Sequence, residues 1–464
     1  MFDPTDHSIH QTPSRNFWPS VMRQWDNTNR RHAPVLLRLS ISILLFFFVA
    51  QFDVYLYHLG IVPVSPYIQE VAATLIVAMC YVITSWGKPI QRPSKETIVL
   101  LLCLACYVLV QIAGVFSWVA LPDETMLITV WIYTLLLLTL GLAAGAIVGS
   151  WVQHLLLVSM ILFVIMLVVP VVTEGFDGAA GLERTAATLR NSNEAASLIV
   201  LLMLGSIRWS RPGALAVVSI AAAGLGVALT QSRAGLIVFS LAATCYLTWW
   251  ALNSRHRASA VPRMLIVLAF MIVMSGASAA LIYSRAQFSS SYVYEQQADG
   301  TWHQAAKLTA DDGARYDDDN GTYSGSINDL LHSAPARTRI MWETWELIKK
   351  RPIEGHGTSY VFTMHLGPHN MFLKGWVEIG ILGVLSFTLL LAGILWMGLS
   401  RRDPCIVTLA LVLFWISMTS HNLTESRSLV IVIGVLIASS ALRKTYVPRV
   451  IPLREAPLSH MKMP

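Results

Sequence analysis

Long apolar runs separated by short polar breaks fill most of this chain, and each is close to the roughly 20 residues that carry a helix across a bilayer. Twelve spans are predicted on this basis, near 36–58, 68–86, 97–119, 125–149, 152–173, 194–209, 212–230, 233–252, 263–284, 371–399, 404–420 and 427–442. Two polar interruptions stand apart: the first 34 residues, and a stretch from Arg285 to about residue 370. The predicted order is a tail (1–34), nine spans (35–284), a long loop (285–370), three spans (371–442) and a second tail (443–464). The fold class is therefore an all-α polytopic membrane protein with about 12 transmembrane helices. Within the long loop, Arg337 to Lys350 has helical periodicity, with Met341, Trp345 and Ile348 on one face and Ile340, Thr344 and Leu347 beside them. Arg351-Pro352 and Gly355 end this helix. It either lies on the outer leaflet or packs over the bundle.

Composition agrees with the pattern. The 464 residues are 55% hydrophobic and 13% charged, whereas a soluble domain carries about 25% charged residues. The charge distribution orients the bundle. Arg30, Arg31, Lys88, Arg92, Arg255, Arg257, Arg401, Arg402, Arg443 and Lys444 fall in loops on one side, while 59–67 and 118–125 hold neither Lys nor Arg. The positive-inside rule then puts both termini in the cytoplasm and the long loop outside. A net charge of +6 follows from this topology and does not point to nucleic acid. The N-terminal tail lacks an apolar core, so no cleavable signal peptide is predicted. Trp86, Trp118, Trp151, Trp209, Trp249 and Trp250 stand at span ends, as interfacial tryptophans do. Cys103 and Cys106 form a CxxC inside an apolar run, read as small core residues.

Candidate chemistry lies in the residues that break these rules. Arg184, Arg190, Arg233 and Arg427 occupy short outside loops, and Lys374 follows the long one. Arg233, in Gln231-Ser232-Arg233-Ala234-Gly235, sits at a tight junction between two apolar runs. It is either a snorkelling arginine or a functional one, and outside interfaces select against arginine. In Arg190-Asn191-Ser192-Asn193-Glu194, Asn193 suits an N-cap and Glu194 a helix start. A cation at Arg190 is unfavourable beside a helix N-terminus unless an anionic ligand binds there. Arg337 and Arg339 open the loop helix, and arginine's fork suits a pyrophosphate. Pro368-His369-Asn370 stands where the chain returns to the membrane, with Asn370 a cap for the tenth span. The positive helix end disfavours imidazolium at His369, and a neutral imidazole is competent as a general base near neutral pH. Glu378 is a poor partner for it, being about 13 Å further along a helix, and is expected to bond within the bundle. Gly380 and Gly383 allow close helix contact. The acidic cluster at Asp311, Asp312, Asp317, Asp318 and Asp319 fails calcium-loop spacing. Gly367-Pro368 interrupts the His365/His369 zinc spacing. No metal site is predicted.

The run His369-Asn370, Leu373, Glu378, Gly380, Gly383 resembles the signature of the O-antigen ligase and polymerase superfamily of bacterial inner membranes. Arg190 to Asn193, Ser232-Arg233, and Arg339 through Trp342 and Pro352 to Gly355-His356-Gly357 agree with it in order, so the resemblance covers about 185 to 400. It implies a GT-C-like glycosyltransferase of the Gram-negative inner membrane, working on its periplasmic side without metal or other cofactor. The donor would be undecaprenyl pyrophosphate-linked O-antigen and the acceptor lipid A–core oligosaccharide. His369 would be the base, Arg190, Arg233, Arg339 and Arg337 would bind the donor pyrophosphate, and Asn370, Asn193 and Glu378 would support them. The reaction would invert the anomeric centre. A ligase ranks first. An O-antigen polymerase follows, weakened because no outside arginine inspected has glycine eleven positions on. A protein O-oligosaccharyltransferase is third, because only about 20 residues follow the last span. A lipid or anion transporter is the reading from another class; it wants a midplane site, and the informative residues cluster on one side. Ser192, where a proline is common, departs from the family pattern.

Overall fold

A computed structural model describes residues 35–253, 292–296, 302–307 and 340–442, apart from 59, 86–93, 116–123, 180–191, 208, 210–213, 231, 342, 359, 364–367, 369, 421, 422, 424 and 425. Both tails and the ninth expected span, 263–284, lie outside the described residues. The first helices are α1 (Val35–Val49), α2 (Phe52–His58), α3 (Pro66–Ser85), α4 (Lys95–Val115), α5 (Glu124–Val148) and α6 (Val152–Ala179). Then come α7 (Ser192–Ser206), α8 (Ala214–Thr230) and α9 (Arg233–Asn253). After the loop follow α10 (343–350), α11 (Met371–Ile379), α12 (Ile381–Arg401), α13 (Pro404–Thr419) and α14 (Arg427–Leu442).

The bundle is organised around α7. From Leu198 to Leu204 its side chains have no exposed surface, as expected of a helix that is apolar all round. Helices α6, α8, α9, α13 and α14 pack against it. Small residues set the closest approaches. A Cβ on Gly141 of α5 would lie 2.2 Å from the carbonyl oxygen of Ile431 on α14. The outer helices are apolar outward: Leu75, Ile83, Leu102, Leu109, Val158 and Leu385 are exposed, the surface a lipid solvent covers. Among the described residues, four helices, Pro66–Ser85, Lys95–Gly114, Arg233–Leu252 and Ile381–Arg401, are long and apolar enough to cross a membrane. The molecule is an almost wholly helical membrane protein.

Polar contacts gather at the two ends. At the end expected inside, Arg401 donates to the carbonyls of Ser440 (3.1 Å) and Ala441 (3.0 Å) and to Thr97 Oγ1 (2.9 Å). It thus ties α12, α14 and α4 together. Asp403 caps α13 through Cys405 N–H (3.0 Å) and accepts from the Ser440 hydroxyl. The starts of α7, α9, α11 and α14 lie at the other end, the mouth.

Several sequence expectations are corrected. The tenth span is two helices, because Gly380 adopts φ +66° between α11 and α12. Helix α11 runs across the mouth: Asn370 at its start reaches Met418 near the end of α13, and Ile379 at its end packs on Gly114 near the end of α4. Only α12 spans. In the loop helix the buried stripe is Ile340, Thr344 and Ile348, while Met341 and Trp345 are exposed. The stripe is rotated by one position because Ile348 joins Val361 and Val377 in a small core over α11, so the helix packs on the bundle. Trp209 is buried, donating Nε1–H to Leu204 O (3.2 Å), and packs edge-on to Tyr246 instead of facing head groups. The loop is not purely helical: β1 (Tyr292–Gln296) and β2 (Trp302–Lys307) pair antiparallel, Tyr292 opposite Lys307. The aromatic and β-branched run Tyr292-Val293-Tyr294 favours a strand.

Gly380 is the joint on which this end depends. A Cβ there would lie 1.9 Å from Ile353 O, and the positive φ adds strain for any L side chain. Gly380→Ala should destabilise the detergent-solubilised protein by about 1–3 kcal/mol, read as a lowered unfolding midpoint; an unchanged midpoint would contradict the tight joint.

Candidate active site

The first turn of α7 begins the mouth. Asn193 lies inside that turn, since the helix starts at Ser192, and so it is not the cap that the sequence predicts. Its side chain is instead committed to another helix: Ser232 Oγ donates to Asn193 Oδ1 at 2.6 Å. Ser232 also caps α9, accepting from Gly235 N–H at 2.9 Å. The two helix starts can meet because Gly235 lacks a side chain; a Cβ there would be 2.2 Å from that of Ala196. Arg233 follows Ser232 as the first residue of α9, with its side chain exposed. Its charge adds to the positive end of the helix, and the combination suits an anion. Glu194, next to Asn193, accepts from the hydroxyl of Ser426, the residue before α14.

Two further elements complete this end. Asn370 caps α11, its Oδ1 accepting from Phe372 N–H (2.8 Å) and Leu373 N–H (3.1 Å). His369, immediately before it, lies outside the described residues, as do Arg190, Arg337 and Arg339. Lys374 and Glu378, one turn apart on α11, are both buried. With Tyr107 and Gln111 of α4 they line a narrow, partly open cleft. Opposite charges at this spacing favour each other. Glu378 is therefore on the α4 side, two turns from Asn370, and its backbone oxygen accepts from Gly357 N–H at 2.8 Å. That agrees with a place within the bundle.

Residues 217–388 match the family model described as O-antigen ligase. That segment, somewhat over a third of the chain, is similar to the O-antigen ligase and polymerase superfamily. No curated protein matches it. The superfamily segment contains Ser232, Arg233, Arg337, Arg339, His369, Asn370 and Glu378. It excludes Arg190 and Asn193, yet the Ser232–Asn193 hydrogen bond brings Asn193 to the segment's edge.

The sequence reading missed two residues of this end. The charge pattern sets Arg427 among the outside-loop arginines that break the positive-inside rule. Its guanidinium instead contacts the carboxylates of Asp53 on α2 and Glu70 on α3, both fully buried. Carboxylates within apolar runs are costly and were the signal to follow. Arg427→Leu would leave two buried carboxylates without their cation, and removing one partner of a buried pair costs about 3–5 kcal/mol. The expected loss of thermal stability should be relieved when Asp53→Asn and Glu70→Gln are added. A triple variant as unstable as Arg427→Leu would show that packing, not charge, is at stake.

Proposed function

We propose that the protein is an O-antigen ligase. It transfers O-antigen polysaccharide from undecaprenyl pyrophosphate to lipid A–core oligosaccharide on the periplasmic face of the Gram-negative inner membrane. The observation that carries the reading is the Asn193–Ser232 hydrogen bond. It joins two separate stretches of the superfamily pattern at one end of a membrane bundle and leaves Arg233 exposed beside them. In this reading the enzyme is GT-C-like, with about 12 spans and both termini cytoplasmic.

The chemistry follows from charge. His369 accepts the proton of the acceptor hydroxyl as that oxygen forms its bond to the anomeric carbon. The bond from that carbon to the pyrophosphate oxygen breaks, and undecaprenyl pyrophosphate leaves with the electron pair. Attack opposite the leaving group inverts the centre. Negative charge grows on the pyrophosphate, so Arg233, Arg339, Arg337 and Arg190 stabilise the transition state. Asn370 and Asn193 hold the helix starts that orient these groups. No metal is used, since arginines neutralise the leaving group.

Purified protein supplied with lipid-linked O-antigen and lipid A–core should yield a lipopolysaccharide ladder that EDTA does not abolish. His369→Ala should remove the ladder with the protein still in the membrane; wild-type activity would end the role of His369. Arg233→Lys should lose at least about tenfold in kcat/KM, because lysine cannot bind a phosphate through two parallel bonds. Equal activity would reduce Arg233 to simple charge. Longer glycan on the carrier without a ladder would mean a polymerase.

A further inference from the structure

The Gly355-His356-Gly357 triple is not explained by substrate binding, and the structure gives it another task. Both flanking glycines have positive φ, +71° and +105°, so the chain folds tightly against the end of α11. His356 N–H donates to Val377 O (2.8 Å), and Gly357 N–H to Glu378 O (2.8 Å). These bonds satisfy carbonyls at the C-terminal end of α11, which a short helix otherwise leaves exposed. The side chain of His356 faces the other way. Its Nε2 lies 2.9 Å from Leu347 O on α10. A backbone carbonyl only accepts, so Nε2 carries the hydrogen and donates. The ring also stacks on Tyr360, with centroids 4.7 Å apart, and is buried.

We propose that His356 is a positioning residue: it pins α10 onto α11, the two helices that follow the donor arginines and the base of the ligase reading in sequence. The functional consequence rests on the ligase reading; the pin itself does not. Val377, Ile348 and Val361 already bring the two helices into apolar contact. Such contact holds helices together but is non-directional. His356 makes one directed bond at each of two places, through its backbone N–H to α11 and through its imidazole to α10. Arg337 and Arg339 lie just before α10 in sequence, and His369 just before Asn370. In the ligase reading the donor arginines lead into the pinned helix, so loss of the pin would be felt in donor binding.

The test compares His356→Phe and His356→Gln in the full-length protein. Phenylalanine keeps a ring for Tyr360 and loses the N–H; glutamine keeps a donor for Leu347 O. Hydrogen exchange should speed up over 343–350 in His356→Phe and return towards wild type in His356→Gln. In transfer assays, His356→Phe should raise the donor KM about tenfold, the effect of one lost directed bond, with the acceptor KM within about twofold. Exchange in His356→Phe equal to wild type would overturn the pin, as would donor and acceptor KM rising together. Altered exchange in a protein whose wild type makes no lipopolysaccharide would uphold the pin and reject the ligase reading.

Discussion

The burial of α7 on every side constrains everything else. A helix with no exposed surface from Leu198 to Leu204 has only its ends for polar business. Its first-turn amides and side chains must find partners at the mouth, because no water reaches them through the bundle. Asn193 takes Ser232 and Glu194 takes Ser426. Each of these serines precedes another helix, so one buried helix gathers the starts of α9 and α14 around its own. The convergence of polar residues at this end is thus a packing requirement before it is a catalytic one.

Charge within the bundle divides by the same logic. Arg427 is neutralised by the protein's own carboxylates, Asp53 and Glu70, while Arg401 at the opposite end faces the Glu96 carboxylate at 4.0 Å and donates to carbonyls and hydroxyls. Both are structural ties between helices distant in sequence. Arg233 is different in kind: it sits exposed on a helix start whose dipole repels it. Among the described arginines at the mouth, Arg233 faces outward, and in the ligase reading an anionic substrate would meet it there.

Much of this was legible in the sequence. Apolar run length marked most helices, and turn chemistry marked the cap at Asn370, since both are local properties. The Ser232-Arg233 and Asn193 segments were recognisable as motifs, but their hydrogen bond was not, because contacts across 39 residues leave no periodic trace. The break at Gly380 was hidden by hydropathy: α11 is apolar enough to read as the start of a span. Its diversion depends on Pro352 O and Ile353 O occupying the place where the helix would continue. The loop helix buries a different face from the one its periodicity suggests, because which stripe is buried depends on Val361 and Val377, neither of them nearby in sequence. The partners of Arg427 were missed for the same reason.

The two polar ends are not equally far apart everywhere. Leu204 meets Cys405 at the inner end, and from there to Ser192 the central helix rises only about 18 Å. Along α14, Ser440 beside Asp403 to Arg427 is about 20 Å. From Arg401 to Ile381, α12 rises about 30 Å, the thickness of a bilayer's hydrocarbon core. Helix α9 starts beside α7 at this same mouth and also rises about 30 Å, so short and full-length helices stand side by side there. A bilayer thins locally where hydrophobic helices are shorter than its core. In the ligase reading, such thinning would ease the approach of a carrier's charged head group to the start of α7.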